Sequence, residues 1–361
     1  MRADPRKDRR LLSALTLVAP GTPLRAGIDD VIRSEHGALI VIGDPSELSF
    51  LFSGGMRLDL PLTPQLLYEL AKMDGAIIVN ADLTKLVYAN VQLMPDATIP
   101  SSETGTRHRT AERVAKQTGT LVVSISQQRE TVTIFVGELR YQLGEISDVL
   151  ARTNQALATL ETYRTRLDQG LTRLTALEFQ SAVTLDDVLV VLQRAEMTTR
   201  MAEEIERNCV ELGEEAYLIR MQLDELMEDV PREKAAVVYD YELSGDPAYA
   251  AAALEALSQL RHERLIEFEE IGSLLGYPRD ANPLDYTVVP RGHRVLGHIP
   301  RLPESVIRHV VRDFESLDAV IRASQRDLEA VDGVGAIRAR EIREGLRRLQ
   351  EHNLVDRYLQ L

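Results

Sequence analysis

The residues whose types and spacing could do chemistry stand in two short stretches, Asp74-Gly75-Ala76 and Gly105-Thr106-Arg107-His108-Arg109-Thr110. Thr110 leads into a helical run from Ala111 to Thr118 that Gly119 closes, so Arg107, His108 and Arg109 fall at or just before a helix N-terminus. The macrodipole and unpaired N–H groups are already positive there, and each added cation is unfavourable by a few tenths to ~1 kcal/mol. A bound anion would reverse the sign, because N–H groups, dipole and guanidinium forks would converge on one phosphate-like ligand. Two plainer readings stand beside this one. Arg107 and Arg109 could be solvated surface charges with His108 packed locally, and Asp74-Gly75 could be a turn before the strand-like Ala76–Val79. No Gly-x-x-x-x-Gly-Lys-Ser/Thr loop is present to bind a triphosphate instead.

Such groups need a scaffold. At 361 residues the chain is expected to form two or three domains, and 44% hydrophobic content is ample for their cores. Gly37 to Gly43 reads as a buried strand, an apolar run between glycines. Further strands are expected at 75–80, 85–93, 121–126 and 131–142, with helices at 63–73 and 110–118 between them. This predicts an α/β domain whose sheet is mixed, since 85–93 and 121–142 include antiparallel neighbours. At the N-terminus Arg2, Arg6, Lys7, Arg9 and Arg10 precede Leu11–Ala19 in a pattern that imitates a short signal peptide. Leu24, Ile28, Val31 and Ile32 continue an amphipathic pattern, which predicts two helices of a folded domain instead. No apolar run approaches the roughly 18 residues of a membrane span. The single Cys209 can form no internal disulfide and no zinc cluster, which fits a reducing cytosol.

From about Ile146 the period changes. Leu150, Leu157, Leu160, Leu167, Leu171 and Leu174 recur at helical spacing, predicting a long helix with a seam to bury. Thr184-Leu185-Asp186-Asp187 marks a second start, and the helical pattern runs on to Met227. A bundle or spine without chemistry is the expected role. A linker is expected from Gly276-Tyr277-Pro278 to Pro283, with Pro290-Arg291-Gly292 opening a last domain. The net charge of −14 is uneven: residues 141–290 carry 13 Lys/Arg against 29 Asp/Glu, whereas 291–361 carry 13 against 11, all 13 being arginine. Polyanion binding is therefore expected at the C-terminal end.

There, Val331-Asp332-Gly333-Val334-Gly335 lies between two helical patterns and resembles a helix-hairpin-helix DNA-binding motif. Glycines at 333 and 335 would let the backbone approach a phosphate, and the following helix start would present N–H groups to it. Arg338, Arg340, Arg343, Arg347 and Arg348 populate that helix. An ordinary tight turn between helices is the alternative. Ile299-Pro300-Arg301-Leu302-Pro303 looks like a second copy with its glycines replaced, expected to be a structural partner.

Taken together, these motifs and their order along the chain resemble the DNA integrity scanning diadenylate cyclases over essentially the whole length. The resemblance implies an α/β cyclase domain at 1–142, an all-α helical spine at 143–289 and an all-α helix-hairpin-helix DNA-binding domain at 290–361. It implies condensation of two ATP into cyclic di-AMP in the cytoplasm, on a dimer required for the chemistry within an octamer. Asp74 then matches a ligand of Mg2+ or Mn2+ that helps activate the ribose 3′-hydroxyl. Gly75 and Leu93 match positions lining the ATP pocket, and Thr106, Arg107, His108, Arg109 and Thr110 match the phosphate-binding segment. Ser126-Gln127-Gln128 stands where membrane-type cyclases carry Ser-Glu-Glu, which departs from that pattern. Gly333, Gly335, Arg338, Arg340, Arg343 and Arg347 would contact branched or Holliday-junction DNA. The competing reading is a non-catalytic junction-binding repair factor whose N-terminal domain senses nucleotides or oligomerises.

Overall fold

The computed structural model describes residues 8–280 and 282–359, so Arg2, Arg6 and Lys7 of the basic run lie outside the described residues. The chain forms two compact units, Met1–Ala156 with Glu204–Gln222, and Leu157–Glu203 with Leu223–Leu361.

In the first unit the helices α1 (Arg9–Leu17) and α2 (Pro23–Arg33) lead to β1 (Ala38–Ile42) and the short α3 (Pro45–Leu48). Then come β2 (Phe52–Ser53), β3 (Met56–Pro61), α4 (Pro64–Ala71), β4 (Ala76–Val79), β5 (Lys85–Leu93) and α5 (Thr106–Thr118). The strands β6 (Leu121–Ser126), β7 (Thr131–Val136) and β8 (Leu139–Gln142) complete one sheet of order β2-β5-β4-β1-β6-β7-β8, with β3 also on β5. It is mixed as expected: β1 and β4 are parallel and the other pairs antiparallel.

At β1 and β4 both faces are covered, which is why these two strands read as unbroken apolar runs. Successive side chains alternate between faces. Thus Ala38, Ile40 and Ile42 join α1, α2 and α4 in one core, while Leu39 and Val41 pack with Ala111, Val114 and Ala115 of α5 in the other. Two expectations are corrected here. The run 131–142 is two strands turning at Gly137, whose φ is +55°. The helix expected from 110 begins at Thr106, because Gly105 supplies an extended N-cap that lets the Thr106–Arg109 turn close.

Next, α6 (Ile146–Phe179) is one continuous helix of 34 residues. Leu157, Leu160, Leu167 and Leu174 of its seam are buried and Leu150 and Leu171 partly so. α7 (Leu185–Leu212) follows, but the helical pattern does not continue unbroken to Met227. Gly213, at φ +55°, opens a turn of 3-10 helix before α8 (Tyr217–Met227). Within the first unit, Glu211 of α7 accepts from Tyr141 Oη at 2.7 Å and Gly144 N at 2.9 Å.

The second unit continues with α9 (Val230–Tyr241), α10 (Pro247–Gln259), α11 (His262–Leu265) and α12 (Phe268–Leu274). Within the stretch expected as a linker, Tyr277 packs into the same core as Val188, Leu192 and Val237, and Val288 beyond it does too. Five helices close the chain: α13 (His293–Gly297), α14 (Glu304–Phe314), α15 (Leu317–Arg322), α16 (Gln325–Glu329) and α17 (Ala336–Leu359). The turns before α14 and α17 match. Arg301 at φ +62° and Gly333 at φ +80° each precede their helix start by three residues. Leu296, Ile299, Ile307 and Val310 have their counterparts 32 residues on in Leu328, Val331, Ala339 and Ile342, all buried in one core. Arg301 thus holds the left-handed conformation that glycine takes in the second copy, at a cost of order 1 kcal/mol.

A buried charge cluster ties α13 to α6 and α9. Arg294, 1% exposed, pairs with Glu178 and donates to Thr175 Oγ1 at 2.7 Å, with Glu233 at 3.6 Å. Asp240 accepts the backbone N–H groups of Gly292, His293 and Arg294 at 2.7, 2.6 and 2.9 Å. Burial, with the neighbouring Glu178, pushes its carboxyl up to about 7 against those bonds.

Candidate nucleotide site

Parallel pairing of β1 with β4, and antiparallel pairing of β5 and β6 against them, brings four strand ends to one side of the sheet. Leu39, Ala76, Leu93 and Ser126 stand there, and the first turn of α5 closes over them to form a cavity of about 540 Å3. The four preceding helices are each capped by a side chain, from Asp8, Thr22, Asp44 and Thr63. α5 has no side-chain cap and no acid in its first turn. Its leading N–H groups are thus left without a partner from a cap, and Gly105, Thr106, Arg107, His108 and Thr110 all line the cavity. No carboxylate lines it among the described residues. The electrostatic anomaly expected at this helix start is therefore real, and it opens onto a space.

Two glycines are set by close approach. Gly75 lies at φ +93°, and a Cβ there would come within 2.8 Å of the Asn90 backbone, where the β4–β5 pairing shifts register. Gly37 needs no unusual φ, but a Cβ on it would stand 2.1 Å from Nη1 of Arg107. The Arg107 guanidinium lies across the bare backbone before β1. Arg107 has no ion-pair partner among the described residues. His108 packs edge-to-face on Phe135, with ring centroids 6.5 Å apart. Burial lowers its pKa, helped by Arg140, Arg107 and Arg129 against an opposing Glu103, so the imidazole is neutral at neutral pH.

Two expected site residues stand apart from the cavity wall. Arg109 donates to the carbonyls of Glu103 and Thr104, at 3.4 and 3.3 Å. With Arg113 on the Ile99 carbonyl, Lys116 on that of Pro100, and Glu112 accepting from Ser101 and Ser102, it fastens the loop before α5 to one helix face. Asp74 is exposed at the entry to β4, beside the cavity-lining Gly75, and makes no ion pair among the described residues. The cavity adds residues that spacing did not single out. Leu39 and Val91 carry no signal beyond apolar runs, whereas Gln92 is a polar interruption at the end of a strand. Ser126, Gln127 and Gln128 line it too. Ser124, buried in β6 opposite Leu39, has a hydroxyl with no hydrogen-bond partner among the described residues. The C-terminal candidates belong to the second unit: Gly333 and Gly335 flank the turn, Arg338 donates to the Gly333 carbonyl at 2.7 Å, and Arg340, Arg343 and Arg347 are exposed on α17.

Residues 25–139 match the family described as "DisA bacterial checkpoint controller nucleotide-binding". Fold and match together define a nucleotidyltransferase of the diadenylate cyclase class. Residues 143–284 match the "DisA bacterial checkpoint controller linker region". Proteins named DNA integrity scanning protein DisA align along almost the whole chain. That of Carboxydothermus hydrogenoformans is 49% identical, covering 96% of this chain and 98% of its own. That of Acetivibrio thermocellus is 47% identical, covering 98% of each, and that of Bacillus subtilis is 47% identical, covering 97% and 96%. The chain belongs to the DisA family. No helix among the described residues is long and apolar enough to cross a membrane.

Proposed function

We propose that the chain condenses two ATP molecules into cyclic di-AMP with release of two pyrophosphates, under the influence of DNA bound at its C-terminal end. The observation that carries the first part is the uncapped, acid-free start of α5 opening onto the cavity with Arg107 and His108. In phosphoryl transfer the protein mostly positions groups and stabilises charge. Arg107 and the N–H groups of the first turn grip the triphosphate, with Thr106 and Thr110 beside them. Neutral His108 offers a hydrogen bond without adding charge, and Gly75 and Leu93 border the nucleoside. The 3′-hydroxyl of each ATP attacks the α-phosphorus of the other, the bond to pyrophosphate breaks, and the hydroxyl proton is released. Because the product is two-fold symmetric, two copies of the domain face each other across a two-fold axis. An octamer of such dimers is the assembly proposed, in the cytoplasm.

A divalent cation fits the donor set. Sites for Mg2+ commonly use one or two carboxylates plus substrate phosphates, and Asp74 is a carboxylate without an ion-pair partner beside the cavity. When bound, Mg2+ or Mn2+ would screen phosphate charge and lower the pKa of the attacking hydroxyl. Arg109 acts in this scheme by holding the loop that precedes α5.

Residues 1–142 serve as the cyclase domain, 143–289 as the spine and 290–361 as a helix-hairpin-helix domain for branched or Holliday-junction DNA. Gly333 takes the left-handed turn, and a Cβ at Gly335 would meet open space, which supports close approach of a phosphate. Arg338, Arg340, Arg343 and Arg347 add charge without base information, so binding falls steeply with salt. Incubation with ATP and Mg2+ or Mn2+, read by mass spectrometry, tests the activity; no cyclic di-AMP with either metal would sink it. Asp74→Asn should abolish product while ATP still binds, and a normal rate in that variant would remove the metal role. A cyclase rate unmoved by saturating junction DNA would remove the coupling.

A further inference from the structure

A second cavity, of about 610 Å3, lies wholly inside the second unit and plays no part in the reading above. Tyr239 near the end of α9 and His293 at the start of α13 line it, rings 5.7 Å apart and tilted by 49°. Its lining carries Arg291, Arg308 and Arg312, the last two one turn apart on the outer face of α14, together with two carboxylates, Glu304 and Glu315. The inner face of α14, through Val306, Ile307 and Val310, is committed to the core, so the helix has no freedom to turn these arginines away.

Three arginines against two carboxylates, Glu304 and Glu315, leave the lining net positive. Arg308 reaches Glu304 at 3.4 Å and Arg312 reaches Asp313 at 2.9 Å, both exposed pairs that water screens. Arg291 differs, because its partners are neutral. Its guanidinium donates to the carbonyls of Tyr239, Asp240 and Leu243 at 3.4, 3.0 and 3.3 Å, and no carboxylate pairs with it among the described residues. Three carbonyls fix the position of that cation without neutralising it. His293 registers the result: burial, followed by Arg291 and Arg308, pushes its pKa down to about 4. A concave site that joins two neutral aromatic rings to three arginines, in excess over Glu304 and Glu315, is suited to a ligand with a flat ring at one end and an anion at the other.

We infer that this cavity binds a nucleoside monophosphate unit, the base against Tyr239 and His293 and the phosphate between Arg291, Arg308 and Arg312. The unit can come from a free nucleotide or from the 5′-phosphorylated end of a DNA strand, which share this chemistry. Planar forks on two sides allow bidentate contact with phosphate, as a lysine would not.

The test uses the full chain carrying Arg107→Ala, which weakens the N-terminal site, and the same chain with Arg308→Glu added; Arg308 is exposed and outside the core. Labelled AMP is titrated into both, and the binding of duplexes with 5′-phosphate or 5′-hydroxyl ends is compared. Expected is one AMP equivalent that Arg308→Glu weakens at least tenfold, which assigns the free nucleotide. A preference for 5′-phosphorylated ends that Arg308→Glu removes assigns the strand end and supports the site equally. If Arg107→Ala leaves the N-terminal site intact, two equivalents should fall to one. AMP and end-preference both unmoved by Arg308→Glu, or both absent from the start, would overturn the inference.

Discussion

Arg107 and Arg294 are both arginines in the first turn of a helix, and the molecule treats them in opposite ways. Around Arg294 two carboxylates, Glu178 and Glu233, neutralise the guanidinium, and a third, Asp240, satisfies the N–H groups at the start of α13. Around Arg107 there is no side-chain cap, no acid in the first turn and, among the described residues, no carboxylate lining the cavity. The first arrangement is complete within the chain, and the second has a positive potential left over. An arginine at a helix start therefore says little by itself; the acids placed or withheld around it decide whether it is structural or awaits a ligand.

The sharpest way to break the comparison is Glu178→Ala. It strands a buried guanidinium, and urea unfolding should report a loss of about 3–5 kcal/mol, the range for removing one partner of a buried pair. A loss of a few tenths would mean that water already reaches Arg294. Arg107→Ala should do the reverse. Stability stays level or rises by a few tenths of a kcal/mol as the unfavourable charge leaves the helix start. ATP affinity, measured by titration, falls about tenfold or more, since charged hydrogen bonds contribute ~1.5–3 kcal/mol. Gly37→Ala sharpens the same point with a smaller change. The φ at Gly37 lies outside the left-handed range, but the Cβ displaces the Arg107 guanidinium and stands 3.0 Å from the Ile125 carbonyl oxygen, so affinity should drop severalfold with only a small loss of stability. An unaltered affinity would show that Arg107 binds from another position.

The smallest effect is one of pH. His293, facing Arg291, Arg308 and Tyr239, has a folded pKa near 4 against ~6.5 unfolded. Between those values the unfolded chain binds the proton more readily, so stability is full above about pH 6.5 and is lost as pH falls toward about 4. Unfolding midpoints of the wild type should decline more over that window than those of His293→Gln. Parallel declines would place the imidazole in solvent.

The legible part of this molecule was its local physics. The apolar run between Gly37 and Gly43 marks β1, the Asp74-Gly75 turn before Ala76–Val79 marks β4, and the leucine spacing marks α6. Arg107 drew notice because two cations at a helix start conflict with the dipole. What escaped is non-local or lacks contrast. β3 is almost wholly exposed, so Met56–Pro61 shows neither alternation nor an apolar run. Arg294 and Glu178 are 116 residues apart, and no spacing rule connects them. The placement of Arg109 against loop carbonyls depends on the path of residues 95–105, which follows Glu112, Arg113 and Lys116 one helix face away. In the sequence Gly37 marks only the edge of a strand; its other role, as the bare backbone under the Arg107 guanidinium, depends on a side chain seventy residues away.

The grip of Asp240 on Gly292, His293 and Arg294 bears on how the chain could be divided. Composition invites a cut between Gly276 and Pro290, where prolines gather and the acidic middle gives way to arginine. A polypeptide nicked there would remain one particle, because Asp240 and Glu178 on one fragment hold the start of the other through buried polar bonds. Expressed alone, a fragment from Pro290 onward would expose Arg294 and the N–H groups it shares with α13 to water, and its partner would keep three carboxylates, Glu178, Glu233 and Asp240, facing an empty socket. The two halves should be soluble together and poorly behaved apart.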